Sequence, residues 1–166
     1  MTRALAVIVL FHFHSIAFGA DVVPAPDCKH DRTTFRCVKF VKNYDADTIS
    51  FDIHDVHPLF GEHISVRVNG IDTAEIKGKG PCEKATARTA QRLIENMMKN
   101  AKMIHLKNVG RDKYFRILAD VEADGKLVKD VLLKNKLAYE YHGETKSNID
   151  WCKFIKKPDS WKGKDE

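Results

Sequence analysis

The sequence lacks the patterns that mark several common protein classes. Its four cysteines form no CxxC pair and no close cluster with histidine, which argues against a structural zinc site. It has no internal repeats, so a solenoid or a repeat array is also disfavoured. What remains is a chain of 166 residues, a length that suits one domain with a core of its own.

The one long apolar run lies at the start of the chain, within residues 1–20. Arg3 supplies a positive charge before the run, and small residues follow it around Gly19 and Ala20. This pattern predicts a secretory signal peptide, cleaved after Gly19 or Ala20, and a secreted or periplasmic protein. The alternative is an uncleaved membrane anchor, although the run is shorter than the about 20 residues that a spanning helix needs. We expect no stable membrane insertion of the mature chain, which we expect to be a monomer.

An even number of cysteines in an exported chain indicates two disulfide bonds. Cys28 and Cys37 are separated by eight residues and flank the entry to the first predicted strand, so a local bridge between them is easy to close. That pairing leaves Cys82 with Cys152. Four cysteines allow three pairings, and the other two remain open at this point.

Apolar periodicity predicts an α+β domain over residues 34–152, after an extended leader at 21–33 and before a basic tail at 153–166. Short strands with few exposed edges favour a small closed or nearly closed barrel of five strands. A long helix is expected between the third and fourth strands, and a short helix after the fifth. The predicted strands span 34–44, 47–54, 63–72, 102–109 and 115–123, the helices 82–100 and 126–135, and a turn 55–62.

Charged side chains concentrate where these strands end. Carboxylate oxygens are the ligands that calcium and magnesium prefer, and the arginine fork matches the oxygens of a phosphate. Each residue alone also has an ordinary explanation, such as an Asx turn at Asp45 or an ion pair between Arg116 and Asp120. The full set is Asp45, Asp47, Arg67, Asp72, Glu75 and Arg116.

Arg67 and Asp72 pose a geometric question. Alternation along the third strand places Val66 and Val68 inward and Arg67 outward. The two charged residues are also about 16 Å apart if the strand is straight. They can serve one site only if the chain bends between them, and Gly70 permits such a bend.

Three segments, "YDADTISF", "RVNGIDTAE" and "RDKYFRILADV", resemble in order and spacing the signature segments of the staphylococcal nuclease-like (thermonuclease) family. The resemblance extends over about residues 34–152. It implies a calcium-dependent phosphodiesterase that acts on DNA or RNA and is built on a five-stranded oligonucleotide-binding barrel.

The resemblance also implies roles for individual residues. Asp47 and Asp72 match the carboxylates that bind Ca²⁺, and Thr73 the residue that offers it a backbone carbonyl. Glu75 matches the residue that orients or deprotonates the attacking water. The two arginines that hold the scissile phosphate are matched by Arg67 and Arg116.

Four further positions match substrate contacts of the family. Lys113 and Tyr114 match residues that contact a neighbouring phosphate, and Tyr139 and Tyr141 match tyrosines that line the base pocket. Three positions depart from the family pattern without removing a catalytic side chain. They are Ala46 and Phe115, where glycine is usual, and Ala74, where proline is usual.

Two other functions compete with a nuclease. The first is a binding module that holds nucleic acid without cutting it, and the second is a basic structural domain. The net charge of +5 suits a polyanionic partner in all of these cases. Because the catalytic acids and both arginines are all present, the enzyme is favoured.

Overall fold

The computed structural model describes residues 27–155 of the chain. The predicted signal peptide and most of the basic tail lie outside the described residues. Within residues 27–155, no helix combines the length and the apolar character needed to cross a membrane.

The described part of the chain forms an α+β domain with eight strands and four helices. In chain order these are β1 (Lys39–Asp45), β2 (Thr48–Asp52), α1 (Pro58–Gly61), β3 (Ile64–Val68), β4 (Ile71–Thr73), α2 (Pro81–Asn100), β5 (Ile104–Arg111), β6 (Ile117–Ala123), β7 (Lys126–Leu127), α3 (Val128–Lys134), β8 (Ala138–Glu140) and α4 (Trp151–Phe154).

The main sheet has the strand order β1-β2-β3-β6-β5, with the short β7 added to β6. Neighbouring strands are antiparallel except for β3 and β6, which run parallel. The segment just before β1 contacts β5, since Phe35 and Leu106 form a bridge and the Val38 N–H donates to the Ile104 carbonyl at 3.0 Å. In the described residues these contacts do not make a full ladder between β1 and β5, so the closed five-stranded barrel stays a prediction.

The predicted third strand, 63–72, is two strands in the structure. It breaks at Asn69 and Gly70, where Gly70 has a φ of +79° that glycine adopts without strain. The second piece, β4, leaves the main sheet and pairs with β8. The five expected strands thus form the path of the main sheet, and the described residues add three short strands: β4, where Gly70 divides the predicted third strand, the two-residue β7, and β8, in a stretch that shows no clear periodicity.

Helix α2 covers one face of the main sheet. It begins at Pro81, whose missing N–H costs nothing at a first helical position, and it carries Glu83 in the first turn and Lys99 in the last. Its buried face includes Ala90, Ile94 and Met98, in agreement with the predicted helical spacing. A smaller helix, α1, occupies part of the segment predicted as a turn.

Both expected disulfides are present: Cys28 is bonded to Cys37 and Cys82 to Cys152. The second bridge joins the start of α2 to α4. Beside it, the α4 residues Trp151 and Phe154 pack in a small apolar cluster that is separate from the main core.

Candidate active site

The acidic centre of the candidate site is assembled from β2, β3 and β4. Thr48 of β2 lies opposite Arg67 of β3, and the Val68 N–H donates to the Asp47 carbonyl at 2.8 Å. The bend at Gly70 then returns the chain so that β4 presents Asp72 and Thr73. The bend that the sequence predicted is thus the feature that brings Arg67 and Asp72 together.

Asp47 is buried and has hydrogen-bond donors on both carboxylate oxygens. Its Oδ2 accepts from the Thr73 backbone N–H at 2.9 Å and from Thr73 Oγ1 at 2.8 Å. Its Oδ1 receives the Arg67 guanidinium. Thr73 therefore orients Asp47 through its N–H and its hydroxyl, which are contacts that the sequence did not reveal.

Arg67 is the central cation of the cluster. Its two terminal nitrogens bond separately to Asp47 and Asp72, and one of them also donates to the Ile71 carbonyl at 3.1 Å. Burial alone would lower the pKa of Arg67, but the two carboxylates outweigh it and raise that pKa above its ordinary value. The sequence placed the Arg67 side chain outward, but it is only 9% exposed, so it is buried like its neighbours Val66 and Val68.

Tyr139 reaches the same cluster from β8. Its hydroxyl donates to Asp72 Oδ2 at 2.8 Å, and its ring packs 6.1 Å from that of Trp151. Burial and the bond to Asp72 both raise the pKa of Tyr139, so the hydroxyl keeps its proton. The ring is buried and its hydroxyl is placed to orient Asp72, while its place in a base pocket stays a prediction.

Glu75 lies at the exposed edge of the cluster, two residues beyond β4. Its Oε1 accepts from Lys146 Nζ at 3.0 Å. The same ammonium lies 3.0 Å from Asp72 Oδ1. Lys146 is a site residue that sequence analysis missed, because it follows Glu75 by 71 positions in a stretch without periodicity.

The cluster carries more negative than positive charge. Asp45 stands beside it and accepts weakly from the Ile76 N–H at 3.4 Å. Its pKa is raised by burial and then by the nearby charge of Glu75. The excess of negative charge on Asp47, Asp72 and Glu75 over Arg67 and Lys146 favours binding of an added cation.

The donor set fits a hard divalent cation. Asp47 Oδ1 and Asp72 Oδ1 converge on one cationic group, the guanidinium of Arg67, and both are carboxylate oxygens of the kind that Ca²⁺ prefers. Within residues 27–155, no group of three or more His, Cys, Asp or Glu side chains is arranged around a metal position. Calcium takes about 6–8 oxygen ligands, so water, backbone carbonyls or substrate would have to supply the remainder.

The predicted phosphate-binding residues surround a turn at 112–116. Arg116 donates through Nε to Asp112 Oδ2 at 2.7 Å, and its guanidinium carbon lies 5.6 Å from the centre of the Tyr114 ring. Lys113 Nζ donates to the Gly143 carbonyl at 3.3 Å. Arg116 is thus half exposed and makes its ion pair with Asp112, not with the Asp120 considered from sequence.

Tyr141, the second predicted base-pocket residue, lies just after β8. Its hydroxyl donates to the Glu144 carbonyl at 2.8 Å and closes a turn at the start of the loop that carries Lys146. The structure therefore brings together Asp47, Arg67, Asp72, Thr73, Glu75 and Tyr139. The other four predicted residues, Lys113, Tyr114, Arg116 and Tyr141, lie on two loops that Lys113 connects through Gly143.

Comparison with known proteins agrees with the resemblance seen in the sequence. The chain is 34% identical over 91 residues to Endonuclease YncB of Bacillus subtilis (strain 168), a match that covers 52% of this chain and 43% of the relative. It is also 34% identical over 100 residues to the SPbeta prophage-derived endonuclease YokF of the same organism, covering 52% of this chain and 34% of the relative. The chain spans less than half of the length of either relative.

A family match covers most of the described domain and all of the catalytic residues after Asp47. Residues 65–155, more than half of the chain, match the family described as Staphylococcal nuclease homologue. The matched region contains Arg67, Asp72, Glu75 and Arg116 and begins after Asp47. The chain therefore belongs to the staphylococcal nuclease homologue family.

Proposed function

We propose that this chain is a calcium-dependent nuclease that hydrolyses phosphodiester bonds of DNA, RNA or both. The observation that carries the proposal is the convergence of Asp47 and Asp72 on Arg67, with Glu75 at the exposed edge. The endonuclease names of the two relatives support it.

Each residue of the cluster has a task in this proposal. Asp47 and Asp72, with the Thr73 carbonyl, would hold Ca²⁺, which would supply positive charge to stabilise the phosphate during hydrolysis. Tyr139 and the Thr73 N–H and hydroxyl keep the two carboxylates in place. This fixed arrangement reduces the reorganisation that the reaction requires.

Arg67 and Arg116 bind the phosphate. A phosphate offers a guanidinium the same paired oxygens that a carboxylate offers, so Arg67 can exchange part of its contact with the aspartates for the substrate. Arg116 can do the same from Asp112, because its side chain is 42% exposed. Charge builds on the equatorial oxygens in the transition state, and both arginines stabilise it there.

Glu75 acts as the general base for the attacking water. Its half-exposed carboxylate can accept a proton as the water oxygen attacks phosphorus and the leaving oxygen departs. In this proposal Lys113 and Tyr114 contact a phosphate next to the scissile one, and Tyr141 contacts a base.

We also propose that the protein acts outside the cytoplasm after removal of residues 1–20. The two disulfides support this part of the proposal, because such bonds persist in oxidising compartments.

The test uses fluorogenic single-stranded DNA and RNA oligonucleotides with the purified chain. Activity should require Ca²⁺ and disappear in excess chelator. Glu75→Gln should lower turnover by about 10²–10³. The same variant should still bind the oligonucleotide when chelator prevents cleavage. Glu62→Gln makes the same chemical change at the exposed end of α1 and should have no effect. Undiminished turnover by Glu75→Gln, or full activity in chelator, would contradict the proposal.

A further inference from the structure

The carboxylate of Glu75 is bound by a residue that is distant in sequence. β4 ends at Thr73, and the Glu75 side chain is 50% exposed. Among residues 27–155, Lys146 is the one side chain that bonds to this carboxylate. A glutamate on such a short exposed connection has several open rotamers, so its position near the cluster depends on that contact.

Lys146 connects the two functional ends of the site. Its ammonium lies 3.0 Å from Glu75 Oε1 and 3.0 Å from Asp72 Oδ1. Asp72 is fixed by Arg67 and Tyr139. One lysine therefore ties the half-exposed carboxylate of the proposed base to the buried carboxylate of the proposed metal ligand.

The segment that carries Lys146 is anchored on both sides. Before it, Tyr141 donates to the Glu144 carbonyl and the His142 N–H donates to Glu144 Oε2 at 2.9 Å. After it, Asp150 caps α4, whose Cys152 is bonded to Cys82. These anchors limit the positions that the Lys146 backbone can take, although the side chain itself is 51% exposed.

We propose that Lys146 is a positioning residue that sets the Glu75 carboxylate beside Asp72, ready for the attacking water. This inference rests on the proposed nuclease function. Removal of a residue that orients a reacting or ligating group by a hydrogen bond typically lowers activity by about 10–100-fold. Lys146 acts here through Glu75 and has no contact with substrate in this proposal.

The first test compares Lys146→Met with Lys153→Met. The second lysine lies on α4, is 81% exposed, and its replacement removes the same charge. Lys146→Met should lower kcat by about 10–100-fold with KM close to that of the wild type, and Lys153→Met should change neither. Lys146→Arg keeps a cation that can reach both carboxylates and should restore most of kcat. Equal kcat for Lys146→Met and wild type would overturn the inference, as would a loss confined to KM.

A double-mutant cycle asks whether Lys146 acts through Glu75. Single-turnover rates are measured with enzyme in excess for wild type, Lys146→Met, Glu75→Gln and the double variant. Lys146→Met should have little further effect once Glu75 is glutamine, because coupled residues do not act additively. Loss by the full factor of 10–100 in the Glu75→Gln background would overturn the proposal.

Calcium binding by calorimetry supplies a readout that is separate from turnover. Lys146→Met should bind Ca²⁺ at least as tightly as the wild type, because an ammonium that competes for Asp72 is removed. Clearly weaker binding would show that Lys146 supports the folding of the site instead, and would overturn the inference. If the wild type hydrolyses neither DNA nor RNA, the proposed function fails; if it does and Lys146→Met matches it, only the inference about Lys146 fails.

Discussion

At the scale of single residues, Arg67 shows how strongly a site can depend on one side chain. The guanidinium bonds to two buried carboxylates at once, which a lysine ammonium cannot do with the same fixed geometry. We expect Arg67→Lys to lower single-turnover hydrolysis by about 10²–10³. The matched control is Arg36→Lys, which replaces a guanidinium in the partly exposed ion pair with Asp31. Similar rates for the two variants would contradict the assignment of Arg67 to the phosphate.

Phe115 replaces the glycine that is usual in this family, and the structure shows the consequence. Its φ is +63° and its side chain is 80% exposed, so the ring contributes little burial at a conformation that disfavours side chains. The left-handed conformation costs a residue with a Cβ about 1–2 kcal/mol.

Phe115→Gly should therefore stabilise the fold, with a rise in Tm of about 2–4 °C. Phe115→Ala is the control, because it removes the ring and keeps the Cβ atom. Thermal unfolding of both variants separates the two effects: an equal rise for alanine and glycine would show that backbone strain is not the cause.

Residues at strand ends could be predicted from sequence, and residues on irregular loops could not. Asp47 directly precedes β2, Arg67 lies within β3, and Asp72 follows the bend at Gly70. Apolar alternation locates the two longer strands, so the meeting of these residues could be foreseen once Gly70 was allowed to bend the chain. Lys146 has no such periodic neighbour. Its contact with Glu75 depends on a turn and a disulfide that are specified by tertiary structure.

At the scale of elements, the sequence predicted most helices and strands and missed how one of them divides. The predicted helix 82–100 corresponds to α2, because Ala90, Ile94 and Met98 recur at four-residue spacing on one buried face. β4 and β8 each have three residues, too few for a pattern of period two to stand out. Their pairing is a long-range contact that local periodicity does not encode.

The disulfide between Cys82 and Cys152 is the element-scale feature that we expect to contribute most to stability. It joins residues 70 positions apart, whereas Cys28 and Cys37 are 9 apart. In the chain-entropy account, closing the longer loop contributes about 4 kcal/mol and the shorter one about 2.5 kcal/mol.

Replacement of each pair by serine, followed by denaturant unfolding, measures the difference. The Cys82/Cys152 double variant should lose more unfolding free energy than the Cys28/Cys37 double variant, by about 1–2 kcal/mol. An equal loss for the two pairs, or a larger loss for the short loop, would contradict this account.

At the scale of the whole molecule, Asp120 joins parts of the fold that are distant in sequence. This buried β6 carboxylate accepts from Asn108 of β5 at 2.7 Å, from Lys129 of α3 at 3.1 Å and from Asn69 of the bend between β3 and β4 at 3.4 Å. Burial alone would raise the pKa of Asp120, but the bonds from Asn108 and Lys129 outweigh it and hold that pKa below 3.8.

This shift predicts how stability depends on pH. A carboxylate whose pKa is lower in the folded than in the unfolded protein stabilises the fold above its unfolded value, near 3.8, and loses that contribution as the pH falls through its lower folded value. Asp120→Asn should therefore lower the unfolding free energy at pH 7, by about 1.5–3 kcal/mol, and should reduce its fall between pH 5 and pH 2. Asp130→Asn, an exposed change on α3, should leave the profile close to that of the wild type. Denaturant unfolding of the three proteins across this pH range measures both effects, and an acid slope that Asp120→Asn leaves unchanged would show that other carboxylates link stability to pH.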